Sequence, residues 1–244
     1  MPRREPDATG RLLLRVYRRL RARYGHAGWW PGESPFEICA GAILVQNTAW
    51  ANVERTLRLL RKHRLLSFRA LDRLSTASLA PLLRSSGTFR VKARRLRAFL
   101  DFLSSEYGGR AEAMKVEEPA RLREKLLAVA GIGPETADSI SLYAAGHPVF
   151  VVDTYARRVF SRLGLLAAED REGRARPTLE AYAEVQRFLM DHLPRDAALY
   201  NDYHAQLVRL GKEHCRSRPR CAQCPLDDLC PKHGLLSSRG TPIG

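Results

Sequence analysis

The chain has 244 residues, with 41 Lys or Arg against 26 Asp or Glu, giving a formal net charge of +15 and a pI near 10.2. That length allows one large or two small domains with a sizeable core, and so basic a surface suits a polyanion rather than a small acidic molecule. No apolar run reaches the roughly 18 residues of a membrane span, and the N-terminus MPRREPDATG has no apolar signal core, so a soluble intracellular protein is expected.

Residues 11–24 place Leu13, Val16, Tyr17 and Leu20 at helical spacing with Arg on the other faces. This predicts an amphipathic helix that packs on the C-terminal half. Trp29 and Trp30 follow in a Gly/Pro break, where paired indoles serve either as a hydrophobic plug or as a stacking surface for a base. Ser34 and Pro35 start a helix with a nearly all-apolar middle, FEICAGAILVQNTAW, which must be buried. Cys39 reads there as a small buried hydrophobe. At its end Gln46 and Asn47 are polar amides, either a C-terminal cap or, for Gln46, a wedge that enters the gap left by a displaced base. Short amphipathic helices are expected at 51–63, 69–74, 76–85 and 91–106. The last begins with a basic stripe of Arg90, Lys92, Arg94, Arg95 and Arg97 that matches the sign of a phosphate backbone. No convincing strand pattern occurs except the short HPVFVVD, so the fold class is all-α.

Residues 126–154 organise the rest. Gly131, Ile132 and Gly133 separate two helical runs, RLREKLLAV and ETADSISLYAA, forming a helix-hairpin-helix. Both glycines can take positive φ, and Pro134 suits the first position of the second helix. Amides at such a helix start favour an anion, and a DNA phosphate is the natural guest. The alternative is an αα-hairpin with a glycine turn and no ligand. Asp153 follows as an exposed-looking acid that either caps the helix starting at Thr154 or does chemistry, or both. Glu135 and Asp138 read equally as first-turn acids favoured by the helix dipole. Further helices are expected after Thr154, at 178–192 and at 195–211, with a loop at AAEDREGRARPT and a frayed tail GLLSSRGTPIG.

Cys215, Cys221, Cys224 and Cys230 follow the spacing C-x5-C-x2-C-x5-C. A reducing compartment with a metal site fits this better than disulfides. Structural zinc prefers two close knuckles, and here only one pair is close, so four thiolates around one short loop suit a [4Fe-4S] cluster better than zinc. Arg216, Arg218 and Arg220 lie within the loop as a basic projection.

The glycine hairpin, VVDT and the four-cysteine loop together resemble the endonuclease III superfamily of base-excision DNA glycosylases, over nearly the whole chain. The resemblance implies two helical domains flanking a DNA groove. Residues 31–153 would form a six-helix barrel carrying the hairpin (121–145), and 1–30 plus 154–244 would form the cluster domain with its loop at 215–230. It also implies a cytoplasmic, nucleoid-associated monomer acting on double-stranded DNA with a damaged base, Asp153 as catalytic carboxylate and Gln46 as intercalating residue. Gly131, Ile132, Gly133, Arg90 and Lys92 would contact DNA. WWPGESPFE, LVQNT and GIGPETADSI resemble the 3-methyladenine glycosylase branch, in which aromatics at Trp29, Trp30 and Trp50 border the base pocket with Glu135.

Two departures bear on the chemistry. Bifunctional members carry a lysine where Glu135 stands, and a carboxylate cannot form the Schiff base that cuts the strand. The first cysteine gap is also one residue shorter than in the best-known members, and the branch's well-described member lacks the cluster. A monofunctional glycosylase for alkylated purines such as 3-methyladenine is therefore expected. The alternatives are an oxidised-pyrimidine glycosylase with abasic-site lyase activity, a mismatch adenine or thymine glycosylase, and a non-catalytic DNA-structure sensor.

Overall fold

The computed structural model describes residues 6–166 and 179–234. The expected loop at 167–178 and all but the first residue of the expected frayed tail lie outside them. Among the described residues the secondary structure is entirely helical, as expected from the pattern. No helix there is long and apolar enough to cross a membrane.

The chain forms two compact units, Trp30–Val149 and a discontinuous one of Met1–Trp29 with Phe150–Gly244. The discontinuous unit opens with α1 (Ala8–Tyr24), started by Asp7, whose carboxylate accepts the Gly10 amide at 2.7 Å. The contiguous unit holds α2 (Pro35–Leu44), α3 (Trp50–Lys62), α4 (Phe68–Asp72), α5 (Thr76–Leu82), α6 (Phe89–Tyr107), α7 (Pro119–Ala128) and α8 (Pro134–Ser139). The discontinuous unit resumes with α9 (Thr154–Arg162), α10 (Leu179–His192) and α11 (Ala197–Glu213).

In the contiguous unit α2 is the central element. Ser34 caps it through the Glu37 amide, Pro35 occupies its first turn, and Phe36, Cys39, Ala40, Ile43 and Leu44 are all buried. Its apolar middle shares one core cluster with Leu60 of α3, Leu96, Phe99 and Leu103 of α6, Leu122 and Leu126 of α7, and Ile132 of the hairpin. Burying such side chains contributes about 1.5 to 3 kcal/mol each, which fixes where the hairpin must lie. Asn47, just beyond α2, takes φ +54, the left-handed conformation Asn tolerates at a helix end.

Lys92 corrects the expected basic stripe. Positions 92, 93, 96, 99, 100 and 103 form the buried face of α6, so a charge at 92 points inward with them. Lys92 is 1% exposed and its ammonium donates to the Ser86 carbonyl. Burial, with Arg95 nearby, lowers its pKa to about 8. It is no surface contact for a phosphate. Arg97 also leaves the stripe, pairing with Asp72 and Asp101, whereas Arg90 and Arg94 stay exposed.

In the discontinuous unit α1 packs on α10 and α11, as its apolar stripe requires. Phe150, Phe160, Tyr200 and Tyr203 make a ring cluster with centroids 5.3 to 6.5 Å apart. Its polar centre is Asp202 of α11, 1% exposed, which accepts from the Tyr17 hydroxyl, the Arg21 guanidinium and the Ala27 amide, each at 2.8 Å. Burial works to raise the Asp202 pKa, but the Ala27 amide, Arg21 and Tyr17 together hold it below the ordinary carboxylate value. This stabilisation is complete above the unfolded carboxyl pKa near 3.8 and is lost as pH falls through the depressed folded value. Asp202→Ala is expected to cost about 3 kcal/mol in urea unfolding at pH 7, and its difference from wild type should shrink below pH 4. A constant difference across that range would show that charge is not what Asp202 contributes.

Candidate functional site

The hairpin turn is built by its neighbours. α7 ends at Val129, whose carbonyl accepts the Ile132 amide at 3.0 Å, and the Ile132 side chain is buried in the core. Ile132 therefore anchors the turn, while Gly131 and Gly133 on either side are exposed. Only Gly131 takes positive φ, at +87. Gly133 sits at φ −96 and ψ 179 as N-cap of α8 and does not use the left-handed region open to it. Pro134 occupies the first turn of α8, and no side chain caps that helix. Arg123 of α7 bonds the buried Asp138 of α8 at 2.8 Å, so this acid joins the two hairpin helices rather than serving only the helix dipole. Glu135 is exposed in the first turn.

Gln46 meets this hairpin. Its amide nitrogen donates to the Gly131 carbonyl at 3.0 Å and to the Thr136 hydroxyl at 2.9 Å, and its amide oxygen accepts from Arg95. Arg95 also lies against Gly131, where a Cβ would stand 2.4 Å from its Cγ. The sequence reading missed this role of Arg95, because a residue inside a basic run carries no mark of where it points.

α8 continues into a π-turn, Ile140–Ala144, closed by the Ala145 amide on the Ile140 carbonyl. Such turns are rare and recur at functional sites. This one carries Tyr143, whose ring lies 5.2 Å from Trp30, and Trp30 in turn meets Trp50 edge-on at 5.1 Å. The structure thus joins two of the expected aromatics and adds Tyr143. Trp30 and Trp50 also pack on the core, which is what the plug reading expects of Trp30. Trp29 belongs to the discontinuous unit.

Asp153 belongs to that unit too, and it is buried, at 8% exposure, where an exposed acid was expected. One carboxylate oxygen accepts the Ala156 amide at 2.7 Å, capping α9. The other lies 3.6 Å from Nε2 of His204 on α11. The preceding run FVV has strand-like composition but no strand partner among the described residues, and backbone groups in such a run must still be paired. Side chains of α10 do this: the Tyr182 hydroxyl accepts the Val152 amide at 3.2 Å and Gln186 donates to the Phe150 carbonyl at 2.7 Å.

Cys215, Cys221, Cys224 and Cys230 are free thiols on the loop that follows α11. Among the described residues no three or more His, Cys, Asp or Glu side chains converge tightly enough to hold a metal as they stand. The four thiols are nevertheless mutual neighbours: burial first, then Cys215, Cys221 and Cys230, push the Cys224 thiol up to about 11. The loop is tied to α9, where Arg158 donates to the Cys215 carbonyl at 2.7 Å and Arg162 lies 3.2 Å from the Cys215 sulfur. Arg19 of α1 holds it through Asp228.

Residues 40–185 match the family described as "HhH-GPD superfamily base excision DNA repair protein". The protein named "Putative DNA repair glycosylase MJ1434" of Methanocaldococcus jannaschii is 37% identical over 90% of this chain and 96% of its own length. Among solved structures, a non-covalent endonuclease III–DNA complex aligns with TM-score 0.72 and 26% identity over 93% of this chain and 97% of that one. The Helicobacter pylori 3-methyladenine DNA glycosylase MagIII bound to 1,N6-ethenoadenine aligns with TM-score 0.68 and 25% identity over 82% and 97%. The chain belongs to the HhH-GPD family and is an endonuclease III-like DNA glycosylase of base excision repair.

The two hairpin glycines should respond differently to a methyl group. Gly131→Ala is expected to cost about 2 kcal/mol in chemical denaturation, from positive φ and displacement of Arg95. Gly133→Ala, with open space at its Cβ, should cost less than about 1 kcal/mol.

Proposed function

We propose that this protein is a monofunctional glycosylase that removes alkylated purines such as 3-methyladenine from double-stranded DNA. The observation that carries this reading is the aromatic group of Trp30, Trp50 and Tyr143, whose last member sits on the hairpin's own second helix. Methylation at N3 or N7 makes a purine ring cationic, and an aromatic face attracts such a ring by about 0.5 to 2 kcal/mol. Glu135 stands where the resemblance places the lysine of bifunctional members. The likeness to MagIII, a 3-methyladenine glycosylase, supports the same substrate class.

A methylated purine is already a good leaving group, so the C1′–N bond can break with the electron pair departing on the base. Asp153 then faces an oxocarbenium-like sugar. Opposite unit charges about 4 Å apart at an effective dielectric near 20 attract by roughly 4 kcal/mol, about a thousandfold in rate. Water adds to C1′ on completion and its proton passes to Asp153 or solvent. The hairpin turn with Gly131 and Gly133 takes a strand phosphate, Arg90 adds charge beside it, and Gln46 enters the gap left by the extruded base.

Cys215, Cys221, Cys224 and Cys230 would hold a [4Fe-4S] cluster; an all-thiol donor set on one short loop, anchored by Arg158 and Arg162, suits iron–sulfur more than zinc. Bound there, the cluster would tie the loop that presents Arg216, Arg218 and Arg220. Metal analysis of protein purified without oxygen should find iron and sulfide in equal amounts, lost on Cys224→Ser; zinc alone would reject the assignment.

The decisive experiment offers defined duplexes with methylated, oxidised and mismatched bases and identifies the released base by mass spectrometry. Methylated purines are the expected products. Asp153→Asn keeps the cap on Ala156 yet should slow release about a thousandfold, with duplex binding nearly unchanged. Borohydride should trap no covalent protein–DNA adduct. Abundant trapping, or preferred release of an oxidised pyrimidine, would assign the lyase-bearing alternative.

A further inference from the structure

The catalytic carboxylate is fixed at one oxygen by an amide of its own helix, and that contact alone does not define its plane. The terminal torsion of an aspartate is broad and nearly two-fold, so a side chain held by one hydrogen bond can still rock about it. We propose that His204 is a positioning residue for Asp153: its imidazole holds the second carboxylate oxygen, so that the group is fixed from both sides before DNA arrives. This rests on the reading of Asp153 as the catalytic acid.

The geometry that points to this is local to one unit. Nε2 of His204 lies 3.6 Å from the Asp153 oxygen that the Ala156 amide does not use, and the ring is 6% exposed. At that distance the contact is longer than a full hydrogen bond, and both partners are buried. The turn of α11 carrying His204 is itself pinned. Asp202 binds Tyr17, Arg21 and the Ala27 amide, the Tyr203 hydroxyl donates to the Leu13 carbonyl at 2.9 Å, and Gln206 donates to the Gly25 carbonyl at 2.6 Å. Tyr182 and Gln186 of α10 hold the backbone just before Asp153. Both halves of the contact are therefore delivered by rigid elements, as a preorganised charge requires. A histidine that merely filled space here would be replaceable by any ring of similar size.

The test uses the full-length protein, with whatever iron–sulfur content it carries, and the duplex of the panel that wild type processes fastest. Single-turnover base release is measured beside affinity for a duplex with a tetrahydrofuran abasic site. His204→Phe should slow release about 10- to 100-fold with affinity within a factor of about two. His204→Gln, whose amide N–H falls near the position of Nε2, should recover most of the rate, whereas His204→Asn, whose N–H falls near Nδ1, should not. Release by His204→Phe at the wild-type rate, or equal losses in the Gln and Asn variants, would overturn the proposal. If the Phe variant fails to fold, the Gln and Asn pair decides alone. Asp153→Asn run alongside separates the two ideas: an inactive Asp153→Asn with a fully active His204→Phe removes only the role of His204, while an active Asp153→Asn removes the catalytic assignment and this proposal with it.

Discussion

A carboxylate that accepts the first free amides of a helix is held by the same bond that makes the helix begin, and Asp153 is in that position at the start of α9. The cap ties this carboxylate, the proposed catalytic group, to the most rigid kind of local structure. Capping and chemistry are therefore compatible uses of one side chain. The segment leading into it shapes the rest of that unit: FVV has no sheet partner among the described residues, so α10 supplies Tyr182 and Gln186 to its backbone, and Phe150 packs against Tyr200 and Tyr203 of α11.

The contiguous unit meets a similar requirement by other means. A turn that keeps backbone close to a ligand has little side chain with which to hold itself, so its geometry depends on residues around it. Ile132 pins it from below, Arg123 and Asp138 join the helices on either side, and Gln46 with Arg95 braces the Gly131 carbonyl. Because Gln46 is the residue the family resemblance assigns to the gap in the duplex, wedge and turn share one hydrogen-bond network. In the proposed role Gln46 would leave its bonds to Gly131 and Thr136 on entering a duplex, which ties the wedge to the turn.

Much of the architecture was legible in the chain because it depends on local chemistry. Ser34–Pro35 before an apolar run, the glycine turn before Pro134 and the period of α1 each state a preference that neighbouring residues satisfy. Lys92 was misread for the opposite reason. A run of Arg and Lys looks uniformly basic, but helical spacing sends 92 to the buried side with Leu96 and Phe99 while 90 and 94 face solvent. Gly133 shows that a glycine permits positive φ without requiring it. Tyr143 went unnoticed because an aromatic in an apolar helix looks like ordinary core until a π-turn and two tryptophans give it a setting.

The amino-acid order by itself determined the helical class, the family, the hairpin, the cysteine spacing and the identity of the acid after VV, since each is written in residues close together along the chain. Only the tertiary structure decided which of these groups have partners: His204 beside Asp153, Arg95 on Gln46, Tyr143 on Trp30. Those pairs join residues far apart in sequence, and no local propensity encodes a distance between side chains that meet only when helices pack.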